Sequence, residues 1–197
     1  MVMRADVIAL QEITLDHAGD LADHLEKTTG MLTVDGTIFG RGLGRYGNVL
    51  LSRYGIRDQR LHDLSFSGCE PQGVIDAMLM IDSCPLRVLA THLGLTTPER
   101  TDQLRRLADL LADELHPTVL LGDFNVWWSK RPFVKLRNLG FIHTRIRTFP
   151  TWLFPVLPLE RIFVRTPAVI LSCSRHHSPN SWIASSHFPV VADMEIA

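Results

Sequence analysis

Cysteine is scarce in this chain of 197 residues, and its three copies (Cys69, Cys84, Cys173) form no CxxC pair. An odd number of unclustered cysteines excludes a disulfide scaffold and a thiolate zinc site, and leaves free thiols in a reducing compartment, which points to the cytoplasm. No apolar run approaches the roughly 20 residues of a membrane span, so no transmembrane segment is expected. The N-terminus, Met1-Val2-Met3-Arg4-Ala5-Asp6, lacks the apolar stretch of a secretory signal. Tandem repeats and linker-like stretches are missing, and the 13 glycines and 11 prolines follow no period. A net charge of −1 argues against a general polyanion binder. What remains, with 46% hydrophobic residues, is a chain that can bury one sizeable core, read as a single domain over residues 1–197.

Charge is segregated along the chain. Residues 124–182 carry nine basic side chains (Lys130, Arg131, Lys135, Arg137, Arg145, Arg147, Arg161, Arg165, Arg175) against one acid, Glu160. Residues 1–35 reverse this with seven acids and two bases. An acidic half facing a basic half could hold a metal ion and a phosphate between them.

Periodicity gives a mixed α/β domain in which strands outnumber helices. Val7–Leu10, Gly47–Arg53 and Thr118–Leu121 read as buried strands, and Gln59–Phe66 and Gly73–Ile81 as antiparallel ones. Residues 82–85 form a turn that pairs the latter with Leu86–His92. Asp16 is expected to cap a helix ending near Thr28 before Gly30. Thr97-Pro98-Glu99 opens a second helix with Leu104, Leu107, Leu111 and Leu115 on one stripe, stopped by His116-Pro117. A short helix spans 131–139, and strands at 161–164, 169–173 and 189–196 complete the set. The glycine-rich stretch 40–44 opens no helix and is rejected as a nucleotide loop.

Chemistry-bearing side chains recur where these strands end: Glu12, His92, Asp123 with Asn125, and His187 before the last strand. Strand ends gather distant residues at one edge of a sheet. Carboxylates, imidazoles and an amide together suit a hard cation with acid/base groups.

ALQEI (9–13), GNVLLSR (47–53), LATHLGL (89–95), LLGDFN (120–125), LERIFV (159–164) and SSHFPV (185–190) resemble, in order, the motifs of the endonuclease/exonuclease/phosphatase superfamily. The resemblance implies a four-layer α/β/β/α sandwich and metal-dependent hydrolysis of a phosphate ester by water. It implies Glu12 as a ligand of Mg²⁺ or Mn²⁺, and His92, Asp123, Asn125 and His187 as catalytic groups, with Glu160 orienting His187. It implies Asn48 as a supporting polar residue at the substrate; beside it, the basic Arg145 and Arg161 are expected to hold phosphates, and Trp127, just after GDFN, to stack on a base or lie against a lipid headgroup.

Three departures stand beside it. The chain begins at what would be the family's second strand, so the domain is expected to be N-terminally short, with an open sheet edge that invites self-association. Glu160 stands where the family has aspartate, and the longer side chain moves the carboxylate by about 1 Å. Ser186 replaces the aspartate of a Ser-Asp-His motif, which weakens metal affinity or proton shuttling. The substrate reading favours nucleic acid slightly, from the basic half of the chain, with phospholipid close behind from the apolar loop FPTWLFPVLP (149–158). The alternative is a catalytically impaired scaffold that binds a phosphorylated partner.

Overall fold

A computed structural model describes residues 4–16, 20–41, 44–127 and 131–196. Strands β1 (Val7–Asp16), β2 (Leu32–Arg41) and β3 (Gly44–Ser52) form one antiparallel sheet in the order β1-β3-β2, with helix α1 (Asp20–Thr29) between β1 and β2 in sequence. A six-stranded sheet follows, in the order β4 (Gly55–Asp63), β5 (Gly73–Ile81), β6 (Cys84–His92), β7 (Thr118–Asp123), β9 (Glu160–Arg165), β8 (Ile142–His143). Helix α2 (Thr97–Leu110) carries the chain from β6 to its parallel neighbour β7, and α3 (Val134–Asn138) precedes β8. Strands β10 (Ala168–Arg175) and β11 (Val190–Ile196) pair with each other, and α4 (Pro179–Ala184) lies between them in the chain.

The period-two alternation of the strands divides the core into layers. In β3, Val49 and Leu51 turn outward to pack with Leu25 of α1, while Leu50 faces the second sheet. Ile75, Leu79, Val88, Val119 and Val164 meet it from across the interface. On the far side of the six-stranded sheet, Leu89, Leu120 and Phe163 pack against Leu104 and Leu107 of α2 and Leu136 of α3. The order is α1, sheet, sheet, then α2 with α3: the expected four-layer sandwich.

Several boundaries differ from expectation. Strand β1 continues through Asp16, which pairs with Gly44 rather than capping a helix. Helix α2 ends at Leu110 with Leu111 as its C-cap, so Leu115 lies beyond the apolar stripe and is exposed. Its start is as read, with Thr96 and Glu99 forming a reciprocal capping box and proline in the first turn. Strand β2 and helix α4 lie outside the elements expected from the sequence. Trp128 lies outside the described residues, as do Gly42 and Leu43 of the glycine-rich stretch.

Strands β10 and β11 form a two-stranded sheet of their own. Strand β1 pairs with β3 and β11 with β10, and among the described residues neither has a strand on its other edge. An apolar slot of about 220 Å³ lies between them, over Val88, Val119 and Leu121. No helix among the described residues is long and apolar enough to cross a membrane.

Candidate active site

Register builds the site. His92 of β6 pairs with Asp123 of β7, and Asp123 pairs with Glu160 of β9, so three adjacent strands end in three chemically active side chains. Gly122 makes the approach possible: its φ is +143°, and a Cβ there would sit 1.8 Å from the carbonyl oxygen of Thr91. Only glycine is compatible with both conditions.

The loop after β7 turns sharply at Asn125, whose φ is 51°. Asp123 Oδ1 accepts the Asn125 backbone N–H at 2.8 Å, and the Asn125 amide donates to the Leu93 carbonyl at 2.8 Å. The same amide nitrogen lies 3.1 Å from His92 Nε2. The loop therefore clamps the ends of β6 and β7 together and holds an amide next to an imidazole.

Glu12 arrives from the other sheet. Leu10 pairs with Val49 and Ile13 with Gly47, so Gln11 and Glu12 together face the single residue Asn48: a β-bulge. Glu12 takes φ 58° there, and its carboxylate reaches to 3.7 Å from His92 Nε2. Left-handed backbone at two non-glycine residues, Glu12 and Asn125, marks conformational strain held at one site.

His187 completes the ring. Its backbone is anchored by Ser185 Oγ at 3.1 Å, and the next residue, Phe188, donates to the Thr148 carbonyl at 3.0 Å. His187 Nδ1 donates to Glu160, 3.8 Å from Asp123 Oδ2. Asp123 Oδ2 is thus within 4 Å of two imidazoles, since His92 Nε2 stands 3.9 Å away. The added methylene of Glu160 does not break its contact with His187, because Thr148 donates to the other carboxylate oxygen and holds it. Ser186 contributes its carbonyl, which accepts the Thr151 N–H at 2.9 Å.

Burial and like charge act strongly on Asp123. Desolvation, and then the negative charge of Glu160, push its carboxyl up to about 6 against the opposing pull of His92 and His187. His187 moves up as well: burial would lower it, but the hydrogen bond and charge of Glu160 outweigh burial, with Asp123 and Glu12 adding to them. Donor atoms of Asp123, Glu160 and His187 all fall within 4.8 Å of one another, a group able to hold a metal ion. Two carboxylates of like charge beside an imidazole fit a divalent cation.

The implied substrate contacts are more dispersed. Asn48 is buried beneath the bulge, and its amide donates to the Gly73 carbonyl at 3.4 Å. Arg161 is only 3% exposed, donates to the Val126 carbonyl at 3.4 Å and lies over the Phe133 ring. Its Nε and Nη1 have no hydrogen-bond partner among the described residues, and burial, then the nearby Arg145, lower its pKa to about 10. It supports the Asp123–Val126 loop from behind. Arg145 is exposed. Trp127 is exposed and borders a groove of about 990 Å³ with Arg100, Arg105 and Lys135.

Two contributors were not among the site residues expected from the sequence. The Tyr46 hydroxyl is held protonated by burial, then by Glu12 and Glu70, and it bonds to Glu12. It precedes Asn48 by two in one strand, the period that places both on one face. Thr148 is the other; its role depends on a loop closure that no spacing encodes.

The family model described as "Endonuclease/Exonuclease/phosphatase family" matches residues 2–185. The "Uncharacterized protein YbhP" of Escherichia coli (strain K12) is 32% identical over 170 residues, 78% of this chain and 64% of that protein. The chain thus spans about two-thirds or slightly less of the length of the curated relatives it matches, at 64%. A functionally unknown conserved protein from Enterococcus faecalis V583 superposes with a TM-score of 0.79 at 18% identity, covering 98% of this chain and 86% of that one. D. rerio TDP2 complexed with single strand DNA product superposes with a TM-score of 0.75 at 16% identity, covering 96% of this chain and 86% of that one.

Proposed function

The chain belongs to the endonuclease/exonuclease/phosphatase family, whose members are hydrolytic phosphoesterases that typically use divalent metals, and from that premise we propose that residues 1–197 form one domain that hydrolyses a phosphodiester with Mg²⁺ or Mn²⁺. The observation that carries this reading is the placement of Asp123 Oδ2 within 4 Å of both His92 and His187 at the ends of adjacent strands.

Glu12 is the proposed metal ligand, its carboxylate reaching to 3.7 Å from His92 Nε2. When bound, the cation supplies Lewis-acid polarisation of a phosphoryl oxygen and stabilises the leaving oxygen. Asp123 accepts the proton of a water: Oδ1 is occupied by the Asn125 N–H and Oδ2 is left for the water. Its raised pKa makes it a stronger base than an ordinary carboxylate, and one still ionised at neutral pH. The amide of Asn125 and the imidazole of His92 donate to phosphoryl oxygens. His187, whose charged form Glu160 favours, stabilises the charge that develops there.

Nucleic acid is supported as the substrate by the Arg- and Lys-lined groove beside Trp127 and by the fold shared with a DNA-bound TDP2. Against this, part of the basic excess is internal: Arg161 is buried, and Arg165 donates to the Leu111 and Glu114 carbonyls.

The test is hydrolysis of bis(4-nitrophenyl) phosphate with Mn²⁺, with chelator, and by Asp123→Ala protein. Metal-dependent turnover lost in the variant establishes the activity. Absence of turnover, together with no heat of Mn²⁺ binding, would replace it with the phosphate-binding scaffold.

A further inference from the structure

The loop from Phe149 to Leu157 closes on itself through a bridge between those two residues and leaves its tip outside the fold. At the tip Trp152 is 72% exposed and Phe154 71%, with Leu153 and Val156 also exposed. Thr151 fastens the loop to the segment after α4, donating from its N–H and hydroxyl to the carbonyls of Ser186 and Ser185, each at 2.9 Å. Helix α4 adds exposed Trp182 and Ile183, the latter 86% exposed. Two segments joined through Thr151 thus offer several large apolar side chains to water, more than scattered surface residues explain.

Three further observations decide what such a surface meets. Between residues 144 and 187 the only acid is Glu160, and it is turned into the site against His187 and Thr148. The bases of that stretch include the exposed Arg145 and Arg147, and Arg175 donates to the Arg147 carbonyl at 3.3 Å, tying the basic segments together. Prolines 150, 155 and 158 deny the loop a continuous ladder edge, which disfavours strand addition by another protein. Aromatic and aliphatic tips on a stretch of chain that exposes arginines and turns its one carboxylate inward complement an anionic lipid surface, where rings enter the headgroup layer and guanidinium groups meet phosphate. The surface also borders the site: the Phe149 ring, at the base of the loop, stacks 4.8 Å from His187.

We propose that the 150–156 loop and α4 form a wedge that seats this chain on an anionic bilayer, so that the phosphodiester brought to His187 and Asp123 is that of a lipid headgroup. The docking surface stands on the observations above; the choice of substrate rests on the hydrolase reading.

The experiment is cosedimentation of the full chain with vesicles of phosphatidylcholine alone and of phosphatidylcholine with phosphatidylglycerol, at low and high salt, beside binding of a single-stranded oligonucleotide. The comparison protein is Trp152→Ser/Phe154→Ser, changes at exposed positions outside the catalytic group. Binding stronger to the anionic vesicles, largely retained in high salt, and weakened at least about tenfold in the double variant is the expected result. Turnover of the soluble bis(4-nitrophenyl) phosphate stays the same in both proteins. No pelleting, or equal pelleting of the variant, overturns the wedge. Oligonucleotide binding lost in the double variant overturns it in favour of base stacking. Vesicle binding without soluble turnover supports the wedge and refutes the hydrolase separately.

Discussion

Glu160 and His187 form a closed pair: one carboxylate oxygen takes the Nδ1 proton of His187, and the other takes the hydroxyl proton of Thr148. Both oxygens are spoken for, so the imidazole is fixed in orientation and its charged form is favoured. Glu160→Gln presents an NH₂ to one of two donors and loses one contact. Its kcat on the soluble diester should fall about a hundredfold with KM little changed. The pKa of His187, followed by NMR, should fall toward its ordinary 6.5 as the carboxylate charge is removed. Thr148→Val leaves the charge in place and should cost about tenfold at most.

Asp123 is held in the fold at the expense of stability. Its carboxyl is pushed up to about 6, above the ordinary 3.8. The folded protein therefore binds a proton that the unfolded chain releases between those values. Metal-free protein should become more stable as pH falls from about 6 toward 3.8, before other carboxylates begin to protonate. Asp123→Asn, which keeps an acceptor for the Asn125 N–H, should be more stable than wild type at neutral pH by about 1–2 kcal/mol while losing turnover. Urea unfolding with chelator at several pH values checks both.

The strands that position these residues were legible because they are buried on both faces. Gly73–Ile81 and Thr118–Leu121 carry runs of apolar residues that admit little else, and capping chemistry announced α2. Strand β2 was not legible: Asp35, Gly36 and Gly40 interrupt its apolar pattern. Gly36 is there because a Cβ would sit 2.4 Å from Ile75 Cγ1, a tertiary contact invisible locally. The strand-end residues Glu12, His92, Asp123 and His187 were readable as a set. That Glu12 depends on a bulge, and Glu160 on Thr148, was not, because both follow from register and loop closure rather than from residue type.

Gly122 is the backbone counterpart of that set. Alanine there would require both an unfavourable φ near +143° and space already taken by the Thr91 carbonyl at 1.8 Å. Strands β6 and β7 would separate at the end that carries His92 and Asp123. Gly122→Ala should lower stability by about 3 kcal/mol or more in urea unfolding and abolish turnover, whereas Gly55→Ala, with open space around its Cβ, should do neither.

At the opposite end of β6, Arg87 joins two carboxylates that no reading of function involves. It donates to both oxygens of Asp76, at 2.9 and 2.7 Å, and to Glu114 at 2.5 Å, and all three side chains are largely buried. Burial alone would raise Glu114, but the backbone and ring N–H of His116 and the guanidinium of Arg87 lower it to about 2. Asp76 is lowered too: burial opposes, and Arg87 and His62 prevail. Because the folded values lie below the unfolded ones, this network stabilises fully above pH 4.5 and loses its contribution as pH falls toward 2. Acid unfolding followed by circular dichroism should therefore begin below pH 4.5. Arg87→Met strands two buried carboxylates and should cost about 3–5 kcal/mol at pH 7. Much of that loss should be recovered at pH 4, where the carboxyls, no longer held down by the guanidinium, take up protons. A variant as unstable at pH 4 as at pH 7 would show that Arg87 acts through packing rather than charge.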